Sequence, residues 1–134
     1  MKKIILGLLL LGSSLFAEIT NVIVTPEFVN SAKLKIIDIR TKGEWKETGI
    51  VKGSYPLTFF NEKGNYDIDG FLKSLNKIVN KDEKFALICR TGSRTGMVSN
   101  FLGKKLDYHV INLKGGLMKL LRAGYKTVRY NSQK

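Results

Sequence analysis

The sequence has one cysteine, Cys89, and one histidine, His109, among 134 residues. A single cysteine excludes a disulfide bond within the chain. One cysteine and one histidine cannot supply the ligands that a structural zinc ion needs. The phosphate-binding pattern GxxxxGK[ST] is also absent, which disfavours nucleotide binding. We therefore expect neither a metal ion nor another cofactor.

Acidic residues are few: 11 Asp and Glu stand against 23 Lys and Arg, giving a formal net charge of +12. Such an excess is compatible with nucleic acids, acidic surfaces or small anions as partners. The lysines are scattered, however, and no dense basic run is interleaved with aromatic residues. We interpret the charge as a solvated basic surface that attracts small anions, and we predict no nucleic-acid partner.

No apolar run is long enough to cross a membrane. The apolar residues 4–11 follow Met1-Lys2-Lys3, and even when extended to Ala17 they fall short of the roughly 20 residues that span a bilayer. This pattern predicts a cleaved signal peptide at residues 1–17, with an uncleaved anchor as the alternative. Residues 18–134 would then form an exported domain without a stable membrane anchor. In a bacterium with two membranes, that domain would be periplasmic.

Strand and helix patterns alternate along the rest of the chain. Strands are predicted at 19–24, 34–39, 85–88 and 108–113, with further extended segments at 54–60 and 125–130. Helices are predicted at 25–32, 41–46, 67–80, 95–106 and 117–123. The alternation predicts one α/β domain, with a central and mostly parallel sheet covered by helices on both faces.

Cys89 stands where the predicted strand 85–88 ends and a loop leads into the next helix. A thiol at a helix N-terminus and beside arginine loses its proton more readily than a free cysteine. Ligands of open α/β sheets also gather beyond the carboxyl ends of the strands. Although a lone cysteine can simply be a small buried hydrophobe, this position favours a nucleophile.

The residues after Cys89 suit anion binding. Successive N–H groups of such a loop can turn inward around an anion, and Gly92 allows the tight curvature. Hydroxyls and arginine side chains can add hydrogen bonds to an oxyanion. The predicted binding loop consists of Arg90, Thr91, Gly92, Ser93, Arg94 and Thr95.

Several short motifs, in this order and at these distances, resemble a single-domain rhodanese. They are Ile37-Asp38-Ile39-Arg40, Glu44-Trp45, Gly53-Ser54, Ile88 through Thr95, Gly115-Gly116, and Ala123-Gly124-Tyr125. The resemblance implies a three-layer rhodanese-like fold with about five strands. It departs from the family pattern at Ile50 and Lys52, where many rhodaneses have histidine and proline.

The resemblance also implies an activity. Rhodaneses are sulfurtransferases whose cysteine takes the outer sulfur of thiosulfate, releases sulfite and becomes a persulfide. Cyanide, a thiol or a protein acceptor then takes that sulfur. Carried over, Cys89 is the nucleophile, the N–H groups of Arg90 through Arg94 bind the anion, and Asp38 and Arg40 support the loop. No cofactor is implied.

Two alternative functions remain open. The domain could carry a persulfide or an anion to a partner enzyme without turning over by itself. It could instead be a cysteine-dependent phosphatase or arsenate reductase, but those families place one more residue between cysteine and arginine. Here only Arg90-Thr91-Gly92-Ser93 separate Cys89 from Arg94, which favours sulfur over a whole phosphoryl group.

Overall fold

The computed structural model describes residues 19–131. Their strands are β1 (Ile19–Ile23), β2 (Lys35–Asp38), β3 (Tyr55–Pro56), β4 (Phe85–Ile88) and β5 (Val110–Lys114). Their α-helices are α1 (Pro26–Ser31), α2 (Lys42–Thr48), α3 (Ile68–Ile78), α4 (Ser93–Asn100) and α5 (Gly116–Arg122), and a π-helical segment, Phe101–Lys105, continues α4. The predicted signal peptide lies outside the described residues and stays a prediction.

The five strands form one sheet in the order β1-β5-β4-β2-β3. Every neighbouring pair is parallel. Strand β4 lies at the centre and is buried along its whole length, as expected for an apolar strand covered on both faces. The predicted parallel sheet is therefore confirmed, and Cys89 lies beyond the carboxyl end of its central strand.

Helices cover both faces of the sheet because alternate strand residues point to opposite sides. On one face, Leu87 packs with residues of α3 and α4, and Cys89 belongs to this cluster. On the other face, Ile88 packs with residues of α5, and α1 contributes partly buried side chains. The predicted three-layer arrangement is confirmed. In the described part of the chain, no helix has the length and apolarity needed to cross a membrane.

The extended segment predicted at 54–60 is mostly irregular. Only Tyr55–Pro56 pair with β2 in regular register, although the N–H groups of Leu57 and Phe59 still donate to carbonyls at the end of β2. Proline lacks an N–H and suits an edge strand such as this one. The ladder is therefore much shorter than the apolar run predicts.

The helix after the cysteine loop also differs from its predicted bounds. It begins at Ser93 because Gly92, at φ +103°, forms the left-handed turn into α4. Its helical pattern changes at Phe101 into the π-helical segment, where Gly103 lies directly against Ile19 of β1.

The segment predicted to be extended at 125–130 agrees better with the structure, since its residue Val128 forms an antiparallel bridge with Ile50.

Candidate active site

The sulfur of Cys89 lies between the N–H of Gly92 and the hydroxyl of Thr95 at the start of α4. The N–H of Gly92 donates to Cys89 Sγ over 3.2 Å. Sγ is also 3.6 Å from Oγ1 of Thr95, whose hydroxyl donates to the carbonyl of Gly92. First-turn N–H groups have no acceptor within their own helix, and they stabilise negative charge. The arrangement can therefore stabilise a thiolate or a persulfide anion.

Helix α5 holds the carbonyl groups of the loop. The N–H of Leu117 donates to the Cys89 carbonyl over 2.9 Å, and the N–H of Met118 donates to the Arg90 carbonyl over 3.0 Å. In a trans peptide the C=O and N–H point in opposite directions. The N–H groups of Arg90 and Thr91 consequently point away from α5, as an anion-binding loop requires.

The packing of α5 against the carbonyl groups of the cysteine loop depends on glycine residues. Gly116 has φ +65°, and a Cβ there would lie 2.5 Å from the Arg90 carbonyl oxygen and 2.7 Å from that of Cys89. A Cβ at Gly92 would lie 3.0 Å from the backbone nitrogen of Gly115. Gly92, Gly115 and Gly116 therefore allow the cysteine loop and the loop before α5 to pack backbone against backbone.

Both arginines of the loop face carboxylates of α2. Arg94 Nη1 and Nη2 bind Glu44 Oε1 and Oε2 at 2.7 and 2.8 Å, a bidentate pair. Arg90 Nη1 lies 3.2 Å from Glu47 Oε1. The hydrogen bonds from Arg94 lower the pKa of Glu44 from 4.5 to about 2, and Glu44 raises the pKa of Arg94. From the sequence we predicted that Arg90 and Arg94 belong to the anion-binding loop, whereas the structure places each against a carboxylate.

Sequence reasoning did not assign a role to Glu44 or Glu47. Glu44 was visible only as part of a motif, and Glu47 follows it at the spacing that keeps two residues on one helix face. Their partners lie more than 40 residues further along the chain. Only the folded arrangement shows that α2 neutralises the cationic side chains of the loop.

Asp38, the last residue of β2, and Arg40 form a fully buried ion pair. Arg40 Nη2 and Asp38 Oδ2 are 2.9 Å apart, and Arg40 Nε is 3.0 Å from Asp38 Oδ1. The guanidinium also donates to Thr48 Oγ1 and to the Gly49 carbonyl, at 2.8 and 3.0 Å. The pair thereby joins the end of β2 to the end of α2, the helix that carries Glu44.

The three hydroxyl residues predicted for the loop differ in their exposure. Thr95 is fully buried beneath the loop, whereas Thr91 and Ser93 are exposed at its rim. Within residues 19–131, the structure contains no group of three or more His, Cys, Asp or Glu side chains that could hold a metal ion. The chemistry available at the site is that of a sulfur nucleophile that accepts a hydrogen bond from the N–H of Gly92 at a helix N-terminus.

The fold and the site define an α/β protein with a cysteine loop at the carboxyl end of the central parallel strand. Residues 26–129 match the family described as the rhodanese-like domain. The chain belongs to this family. Comparison with curated proteins found no match.

Solved structures share the fold at low sequence identity. The rhodanese-like domain of an Anabaena sp. protein is 16% identical, with 81% of this chain and 79% of that chain covered and a TM-score of 0.60. A rhodanese-related protein from Thermoplasma volcanium is 19% identical, with 79% and 96% covered and a TM-score of 0.57. A Rhodopseudomonas palustris protein described as a possible tyrosine phosphatase is also 19% identical, with 79% and 83% covered and a TM-score of 0.53. These likenesses concern the fold.

Proposed function

We propose that this protein is a sulfurtransferase that carries sulfur as a persulfide on Cys89. Membership of the rhodanese-like family supports sulfurtransferase or related activity. The observation that carries the proposal is the position of Cys89 Sγ, which accepts the N–H of Gly92 at the N-terminus of α4. This hydrogen bond and the helix N-terminus would stabilise the anionic sulfur before and after the transfer.

The reaction has two displacement steps. The Cys89 thiolate attacks the outer sulfur of thiosulfate, the sulfur–sulfur bond of the donor breaks, and sulfite leaves with the bonding electron pair. A persulfide anion remains on Cys89. Cyanide or a thiolate then attacks the terminal sulfur, so that thiocyanate or a new persulfide leaves and the Cys89 thiolate is restored.

Intact-mass measurement after incubation with thiosulfate tests the first step. We expect one added sulfur atom on the wild type and none on Cys89→Ser. Thiocyanate formation after addition of cyanide tests the second step, again with Cys89→Ser as the inactive control. A wild type that never gains sulfur, or a Cys89→Ser variant with full turnover, would refute the proposal.

A persulfide carrier is the second candidate, and the burial of Cys89 favours it. Only 1% of this residue is exposed, which restricts the approach of an acceptor. A carrier would gain sulfur from thiosulfate but would release negligible thiocyanate and would pass little sulfur to free thiols. A phosphatase is disfavoured by the shorter loop, and hydrolysis of p-nitrophenyl phosphate that depends on Cys89 would reverse that judgement.

We also propose that the domain acts after export to the periplasm, as the pattern of residues 1–17 predicts. Expression of the full chain in a bacterium with two membranes, followed by fractionation and N-terminal sequencing, tests this proposal. We expect a periplasmic protein that begins at Glu18. A full-length chain retained in the membrane would instead support the anchor.

A further inference from the structure

The charged side chains beside the cysteine loop balance one another, although the chain as a whole is strongly basic. Arg94 forms its bidentate pair with Glu44. Arg90 Nη1 lies 3.2 Å from Glu47 Oε1 and 3.8 Å from Glu44 Oε2. Two carboxylates of α2 thus oppose the two arginines of the loop, and the formal net charge of +12 is carried by other parts of the molecule.

The pair of Arg94 and Glu44 lies close to the sulfur of Cys89. Arg94 belongs to the first turn of α4, and Gly92, which caps this turn, donates its N–H to Cys89 Sγ over 3.2 Å. The hydrogen bonds from Glu44 raise the pKa of Arg94 most, and a negative charge on Cys89 raises it further. The guanidinium is therefore within electrostatic range of the sulfur, and the Glu44 carboxylate lies 2.7 Å from that guanidinium.

Helix α2 directs its carboxylates, and not its lysines, towards the loop. Glu44 and Glu47 are three positions apart and lie on the same helix face. Lys42 and Lys46 are each two positions from Glu44, so they do not face it, and both are exposed. An anion that approaches the loop beside α2 therefore meets two carboxylates together with the arginines.

Little positive charge is left for the donor. The bidentate pair occupies the planar face with which Arg94 would bind an oxyanion. The N-terminus of α4 supplies the equivalent of roughly half a positive charge. This is enough to favour a donor with one negative charge. A second negative charge on the donor would add repulsion from the thiolate and from the carboxylates of Glu44 and Glu47.

We propose that Glu44 and Glu47 make the loop discriminate against sulfur donors with two negative charges and favour donors with one. This inference rests on the proposed sulfurtransferase function and adds the charge class of the donor. Thiosulfate carries two negative charges, whereas methanethiosulfonate, with a methyl group in place of one oxygen, carries one. With either donor the Cys89 thiolate attacks the outer sulfur and the sulfur–sulfur bond breaks. Sulfite or methanesulfinate leaves with the bonding electron pair, and a persulfide anion remains on Cys89.

The test compares both donors on the wild type, Glu44→Gln, Glu47→Gln and the control Asp107→Asn. Asp107 is exposed and precedes β5, so it lies at the opposite edge of the sheet from Cys89. Its φ of +64° suits asparagine, so the control removes one negative charge without backbone strain. Rapid quenching and intact mass give the second-order rate constant of persulfide formation at low ionic strength. The rate constant for thiosulfate is divided by that for methanethiosulfonate, because this ratio cancels any structural effect that slows both donors.

We expect this ratio to rise about two- to fivefold in Glu47→Gln and about three- to tenfold in Glu44→Gln, whose carboxylate is the less exposed of the two. Both gains should shrink at high ionic strength, because salt screens the charges. Asp107→Asn should leave the ratio within about 1.5-fold of the wild type, because solvent and salt screen a distant exposed charge. Circular dichroism checks that the variants are folded, and the exposed Glu47 provides a test that does not depend on the stability of Glu44→Gln.

Wild-type ratios in the folded glutamine variants would overturn this inference while leaving the proposed function intact. An equal rise in Asp107→Asn would also overturn it, because the effect would then reflect net charge alone. A wild type that forms a persulfide with neither donor would overturn the inference together with the proposed function.

Discussion

Replacing Glu44 with glutamine should destabilise the protein near neutral pH and should have little effect in acid. Glu44 holds Arg94 in a bidentate pair at 2.7 and 2.8 Å, and its side chain is only 19% exposed. Glutamine keeps the shape and can still accept the capping hydrogen bond from the N–H of Thr41. The substitution therefore removes the charge and leaves the local packing and helix cap in place.

The magnitude follows from the pKa of Glu44. Its fall from 4.5 to about 2 on folding corresponds to an upper limit of about 3 kcal/mol in favour of the charged form. Arg94 is 25% exposed and solvent screens the pair, so we expect about 1–2 kcal/mol at pH 7. Because the folded pKa is the lower one, this stabilisation is present above about pH 4.5 and is lost as the pH falls towards 2.

The assay is urea unfolding of the wild type and Glu44→Gln at several pH values between 7 and 3. Glu47→Gln is the matched control, since Glu47 lies on the same helix, also faces a loop arginine and is 64% exposed. We expect its free energy of unfolding to differ from that of the wild type by less than about 0.5 kcal/mol. The reasoning is refuted if Glu44→Gln and Glu47→Gln have the same free energy of unfolding at every pH.

Three further substitutions test other parts of the site. Gly116→Ala should lower the free energy of unfolding by about 2 kcal/mol or more and should slow persulfide formation. The added Cβ would lie 2.5 Å from the Arg90 carbonyl oxygen, and the φ of +65° at this position is strained for alanine. A wild-type rate of persulfide formation in this variant would contradict the backbone contact. Asp38→Asn should cost about 3–5 kcal/mol in urea unfolding by leaving the buried guanidinium of Arg40 without its counterion, so a loss below about 1 kcal/mol would argue against the ion pair. Thr95→Val keeps the side-chain shape but removes a buried hydroxyl that accepts from Cys89 Sγ and donates to the Gly92 carbonyl. We expect a loss of about 1 kcal/mol in urea unfolding, and an unchanged free energy of unfolding would show that these hydrogen bonds add nothing to stability.

The parallel sheet and the position of the cysteine could be predicted because their signals are local. Strand β4 is a short, wholly apolar run, and Gly92 in the loop that follows permits the left-handed turn that starts α4. Alternation of strands and helices then places Cys89 at a carboxyl strand end. The ends of a strand were predicted less well where they depend on pairing with a neighbouring strand. Strand β3, for example, pairs with β2 through two residues only.

The electrostatics of the site could not be predicted in the same way. Glu44 and Arg94 are 50 positions apart, and their pairing exists only because α2 and the start of α4 meet at the same edge of the sheet. The need for glycine at position 116 likewise comes from the carbonyl of Arg90, which folding brings against it. Residue types along the chain therefore indicate a cysteine in an anion-binding loop. Contacts across the sheet pair both arginines of that loop with carboxylates of α2, because charge pairing acts through space.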